Sequence, residues 1–180
     1  MAGWNDGYDS HWSGEPGTGF PCDVDKEWPD GTDPAEIFVG LTSRLQSAYP
    51  IRKALLILKE GDHNRFCAVA TFNDGAVRKN LSLRLPMQSS LFEKVAEDRH
   101  IYTENYYSLF SGNTFERNLL LDDWCQSFAV IPLVTDGLVI GILGFSSDQP
   151  NAFVTFEEGV LDRVIDRLAN RLSRELPRTE

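Results

Sequence analysis

Ser127-Phe-Ala-Val-Ile-Pro-Leu-Val-Thr-Asp-Gly-Leu-Val-Ile-Gly-Ile-Leu-Gly-Phe145 is the stretch that decides the fold. Two apolar runs flank Thr135-Asp136-Gly137, and Asp-Gly between such runs predicts a β-hairpin, because the tight turn needs backbone conformations these residues tolerate. A polar loop leads on to Phe153 and a helical pattern that ends near Leu172. Thr155 as cap with Glu158 three residues later predicts a capping box. Phe156, Val160, Leu161, Val164, Leu168 and Leu172 then form the predicted buried stripe. Arg167, Arg171 and Arg174 gather at the end of this helix, as its dipole favours.

Working outward, Asp33-Pro34-Ala35-Glu36 reads as a helix start, with Asp33 as cap and Pro34 at the first helical position. Ile37, Phe38, Leu41, Leu45 and Ala48 recur on one face until Pro50. Lys53–Lys59 encloses five apolar residues and reads as a central strand. A second strand is predicted from Phe66 to Phe72. Asn73-Asp74-Gly75 then turns the chain into a third, carrying Val77, Leu81, Leu83 and Leu85. After Pro86, Ser90 and Glu93 cap a short helix with Leu91, Phe92, Val95 and Ala96. His100–Thr103 reads as a brief strand and Glu104–Trp124 as broken helical turns. No repeat or second domain is expected. The predicted organisation is an irregular or disordered arm over 1–32, one domain over 33–176 and a tail over 177–180.

Composition narrows the function classes. Hydrophobic residues make up 42% and charged residues 24% of 180, as in soluble globular domains. No apolar run reaches the roughly 20 residues of a membrane span, and no signal-peptide pattern opens the chain. The expectation is a cytoplasmic protein that engages no membrane. The net charge is −10; residues 1–32 hold seven acids against Lys26. Such a chain repels a polyanion, so nucleic-acid binding is not expected. Cys22, Cys67 and Cys125 are widely spaced with no C-x-x-C pair, which suits reduced thiols and no metal site. Trp4, Tyr8, Trp12, Phe20 and Trp28 give the arm the aromatic content of a segment that could dock on its own domain or on a protein partner.

The sequence resembles a GAF domain from about Asp33 to Leu176. The resemblance rests on Ile131-Pro132-Leu133, Gly137, Ile140-Gly141-Ile142-Leu143, and Phe153, Phe156, Glu157, Glu158 and Leu161. Leu83-Arg84-Leu85-Pro86 with Leu91, Val95 and Ala96 supports it. It implies an α+β fold of GAF/PAS-like type: a central antiparallel β-sheet, first and last helices on one face, and a lid of short helices and loops on the other. It also implies a homodimer through the first and last helices, to which Ile165 and Ala169 would contribute beyond the main stripe.

The family's specific chemistries find little support in these residues. Cyclic-nucleotide-binding members carry an Asn-Lys pair near where Ser146-Ser147 stands here, and a glycine-rich turn where this chain has Met87-Gln88-Ser89-Ser90. Bilin attachment would need a cysteine beside a histidine, and haem ligation a better-placed ligand than His63 or His100. Cys67 and Cys125 could meet across the sheet, as the family's free methionine sulfoxide reductases would require, yet both are more simply small buried hydrophobes. No catalytic residues, cofactor or metal are expected. An aromatic pocket remains, lined by Phe72, Phe92, Tyr102, Tyr106, Tyr107, Phe110 and Trp124, which would suit a planar or apolar small-molecule ligand. The expected function is a non-enzymatic small-molecule sensor or regulatory domain in signal transduction. The alternatives are a pocketless interaction or dimerisation module, favoured if those rings pack on one another, and a methionine sulfoxide reductase-like enzyme.

Overall fold

The structure, a computed structural model of the chain, describes residues 28–60, 65–86, 88–106 and 109–176. Its order is α1 (Pro34–Leu45), β1 (Lys53–Lys59), β2 (Phe66–Asn73), β3 (Ala76–Arg78), β4 (Leu83–Arg84), α2 (Leu91–Asp98), β5 (Tyr102–Glu104), α3 (Thr114–Leu120), β6 (Ser127–Thr135), β7 (Leu138–Ser147), a 3-10 turn (Val154–Glu158) and α4 (Asp162–Glu175). The strands form one antiparallel sheet in the order β3-β2-β1-β7-β6-β5, with β4 also pairing β2. The predicted hairpin is β6–β7, turning at Asp136 (φ 49°) and Gly137 (φ 74°).

Each sheet face carries its own core. Ala54, Leu56, Leu58, Ala129, Ile131, Leu143 and Phe145 meet the apolar stripes of α1 and α4. Phe156 stands edge-on to Tyr49, with ring centroids 4.8 Å apart. On the opposite face Leu55, Ile57, Phe128, Val130 and Ile142 lie under α2 and α3. Each buried large apolar side chain contributes about 1.5–3 kcal/mol, so the two layers together hold the sheet between its helices. This is the α+β architecture expected from the sequence, with the first and last helices on one face and the lid on the other.

Several local expectations need correction. The third strand is broken: Asn80 adopts a left-handed backbone (φ 56°), separating β3 from β4, and Val77 and Leu83 are exposed. The last helix does not start at Thr155. Its entry is the 3-10 turn, without a side-chain cap, and Gly159 (φ 76°) resets the helical phase before α4. Val160 is consequently exposed. Ala48 lies beyond the end of α1 and is also exposed. Ile165 and Ala169 are buried in the chain's own core, while Asp162, Arg163, Asp166, Arg167, Asn170 and Arg174 face outward. The outward face of α4 is therefore mostly charged, and Ile165 and Ala169, expected to contribute to a dimer, are not exposed on it.

Of the expected arm, residues 1–27 lie outside the described residues, as does the tail 177–180. Trp28–Thr32 form a turn in which the Thr32 N–H and hydroxyl both donate to the Pro29 carbonyl, at 3.2 and 2.6 Å. This turn packs on α1 and α4, so the ordered unit includes it. Among the described residues no helix is long and apolar enough to cross a membrane.

Candidate ligand groove on the lid face

The groove begins with a bulge. Leu56 pairs with Ala70 but Ile57 pairs with Ala68, so β2 carries one extra residue at Val69. An extra residue reverses the face that every later side chain occupies. Phe66 and Ala68 therefore join the lid-side core, whereas Ala70 and Phe72 join the core on the α1/α4 face. Beyond the bulge it is Thr71 and Asn73 that turn toward the lid. Thr71 pairs with Leu55 on one side and Arg78 on the other, and Asn73 pairs with Lys53.

These four polar side chains floor an open groove of about 300 Å³. Leu81 and Leu83 wall one side, and Asn118 and Leu119 of α3 overhang the other. Lys53, at the first position of β1, is buried (7% exposed), and its ammonium lies 3.3 Å from Asp122 and 3.4 Å from the Asn118 carbonyl. The ammonium is thus held by the lid's own polar groups. Arg78 is exposed and has no carboxylate partner among the described residues. Two cations beside a hydroxyl, two amides and a leucine wall can hold an anionic group against an apolar body.

The overhang is fixed at both ends. Glu116 is fully buried, and its carboxylate accepts from the Leu91, Phe92 and Asn113 amides at 2.8, 3.1 and 3.2 Å and from the Ser90 hydroxyl. Asn113 in turn accepts from the Glu116 amide at 2.9 Å, completing a capping box. A negative charge at the start of α2 satisfies amides that have no partner within that helix. At the other end Ser146 donates to the Leu120 carbonyl at 2.7 Å. Leu120 packs against Gly144, where a Cβ would stand 2.8 Å from its Cδ1. Outside the groove, Arg52 grips Asp74 with two bonds of 2.8 and 2.7 Å, reaches Asp148 at 3.1 Å and lies over the Trp124 ring. The Asp74 carboxyl is held below its ordinary range by this guanidinium.

The predicted aromatic pocket is not assembled. Phe72 faces the opposite core because of the bulge. Phe92 is buried inside the lid-side core, where Tyr102 and Phe110 pack on Phe128 at centroid distances of 6.0 and 5.4 Å. Burial raises the Tyr102 phenol above its usual range. Trp124 packs against the same core and under Arg52. Tyr106 is 60% exposed, and Tyr107 lies outside the described residues. The rings fill the space beneath the lid, and the open volume lies beside them. Sequence reasoning missed Lys53, Thr71, Asn73 and Arg78. The available signal was a lysine opening an otherwise continuous apolar run.

Cys67 and Cys125 do not meet. Cys67 aligns through Leu58 and Gly141 with Leu133 of β6, three strands away. Cys125 precedes the start of β6 at Ser127. Strand spacing and rise put the two more than about 20 Å apart, whereas a disulfide needs Cα atoms within about 7 Å. Desolvation pushes the Cys125 thiol up to about 11 and also raises that of Cys67. No cluster of three metal-ligating side chains exists among the described residues.

No family model and no characterised protein matches the sequence. In structure the chain is similar to the GAF domain of a phosphoenolpyruvate-protein phosphotransferase from Coxiella burnetii, at 20% identity and TM-score 0.63, covering 80% of this chain and 84% of that one. It is similar to the GAF domain of a two-component sensor histidine kinase from Bacillus halodurans, at 16% identity and TM-score 0.63, over 77% and 92%. A free methionine-R-sulfoxide reductase from Neisseria meningitidis matches at 16% identity and TM-score 0.60, over 81% of each chain. From sheet order, layering and these likenesses together, the chain has the GAF-domain fold.

Proposed function

We propose that this chain is a non-enzymatic small-molecule sensor or regulatory domain in signal transduction, and that its ligand is a small organic anion with an apolar portion. The observation that carries this reading is the groove itself: buried Lys53 and exposed Arg78 both line a leucine-walled space between sheet and lid. A volume of about 300 Å³ lies at the small end of ligand sites. An anion that takes over the Lys53 ammonium releases Asp122, which stands in the connection between α3 and β6. The bound and free states then differ at the lid, and the ligand's preference for one of them is the signal.

Thermal unfolding with benzoate and inorganic phosphate as probes tests the reading. A rise in midpoint with benzoate that Lys53→Met and Arg78→Gln abolish supports it. No shift with either probe, together with a native mass spectrum free of retained small molecules, would count against it. That outcome favours the second reading, a pocketless interaction module, for which the tightly filled Phe92–Phe128 core speaks.

Reductases of the same fold raise a thiol-dependent alternative. The separation of Cys67 and Cys125 and their raised thiols weigh against chemistry between those two. We place the domain in the reducing cytoplasm, where such thiols persist.

A further inference from the structure

The turn Trp28-Pro29-Asp30-Gly31 is held position by position. The Trp28 ring sits on Gly40 of α1, where a Cβ would come within 2.5 Å of it, and under the Arg44 guanidinium at 5.3 Å. Pro29 contributes its carbonyl, which accepts from Arg171 of α4. Asp30 pairs with Arg171 at 3.4 Å. Gly31 takes a left-handed backbone (φ 83°) and donates its amide to Glu175 at 3.1 Å. The recognised pattern is thus an indole, any residue with a carbonyl, a carboxylate, and a glycine: Trp-x-Asp-Gly. Arg171 is held by Glu175 of the same helix, so the residues that receive the turn stand on α1 and α4.

The same pattern occurs once more in the chain, as Trp4-Asn5-Asp6-Gly7. We propose that Trp4–Gly7 is a second ligand for the α1/α4 site and exchanges there, within one molecule, with Trp28–Gly31. Every feature the site reads is present in Trp4–Gly7. Asn5 adds a side-chain oxygen that Pro29 lacks, and Arg171 Nε is a buried donor left without an acceptor when Pro29–Asp30 is docked. The motifs are separated by roughly 20 residues, and a random coil of that length has an end-to-end distance of about 25 Å, enough for either motif to reach the site. Trp28–Gly31 holds it by default because a shorter tether gives a higher effective concentration.

The test uses the full chain and two NMR readouts: the ring-current shift of the Gly40 amide, which reports an indole at the site, and exchange of the Arg171 Nε–H. Trp28→Ala is expected to keep most of the Gly40 shift, and Trp4→Ala all of it. Trp4→Ala/Trp28→Ala is expected to lose it. A Trp28→Ala spectrum already as shifted as the double variant overturns the proposal. A retained shift that varies with protein concentration overturns the intramolecular exchange. Gly40→Ala places a helix-favouring methyl where either indole must sit, so it is expected to speed Arg171 Nε–H exchange in a chain with both tryptophans. Unchanged protection there overturns the shared site.

Discussion

Glu116 is the side chain on which the attachment of the lid depends most. The carboxylate is fully buried and satisfies two backbone amides and one hydroxyl at the start of α2, and the Asn113 amide at the cap of its own helix, α3. Glu116→Ala leaves these donors facing a cavity. Each unsatisfied buried donor costs about 1–3 kcal/mol, and some recover a bond through water. Removing one partner of a buried charged network costs about 3–5 kcal/mol, and we expect a loss in that range. For a domain of this size that lowers the unfolding midpoint by on the order of 10 °C. Glu116→Gln keeps one accepting oxygen and turns an N–H₂ toward donors, so about half of that loss is expected. Urea and thermal unfolding followed by circular dichroism measure both variants. Millimolar formate should restore part of the Glu116→Ala loss, because it supplies the missing carboxylate. A Glu116→Ala loss under about 1 kcal/mol, the range of ordinary surface changes, would refute the reasoning.

Other consequences are more local. Gly144→Val drives a branched side chain into Leu120 and should cost about 1–3 kcal/mol, seen as a lower urea midpoint. An oxidant should yield no Cys67–Cys125 disulfide, which non-reducing peptide mapping of the folded protein reads directly. The Gly31 amide, and after it Arg171, hold the Glu175 carboxyl below its ordinary range. A depressed carboxylate adds stability above its unfolded pKa and loses it as pH falls through the folded one. The protection of the Gly31 amide, measured against its intrinsic exchange rate at each pH, should therefore hold through neutral pH and fall only in acid below the usual carboxylate range.

How much of this was legible in the sequence follows from what each feature depends on. The β6–β7 hairpin and the stripes of α1 and α4 depend on short-range periodicity, and Ile131, Leu143 and Leu168 stand where that periodicity puts them. The Asp33 and Ser90 caps likewise accept from Ala35 and Glu93. The groove depends on pairing across strands. Strict alternation from Phe66 places Phe72 on the lid face, and one unpaired residue at Val69 sends it to the other. The same shift brings Thr71 to the groove, and nothing in Phe66–Asn73 alone marks where the extra residue falls. Glu116 was hidden for a related reason. Its box with Asn113 is local, but its value lies in reaching Leu91 and Phe92, 25 and 24 positions earlier. Gly159 was readable as a breaker inside the last helical pattern, and the periodic apolar residues on either side masked it.

The proposed sensor role rests on the space between sheet and lid binding a small anion. Titrating the full chain with benzoate while recording amide chemical shifts tests it most directly. Saturable shifts are expected at Thr71, Asn73, Arg78, Asn118 and Leu119, and are absent in Lys53→Met. Shifts scattered over the surface, or shifts at the groove that persist unchanged in Lys53→Met, would contradict it.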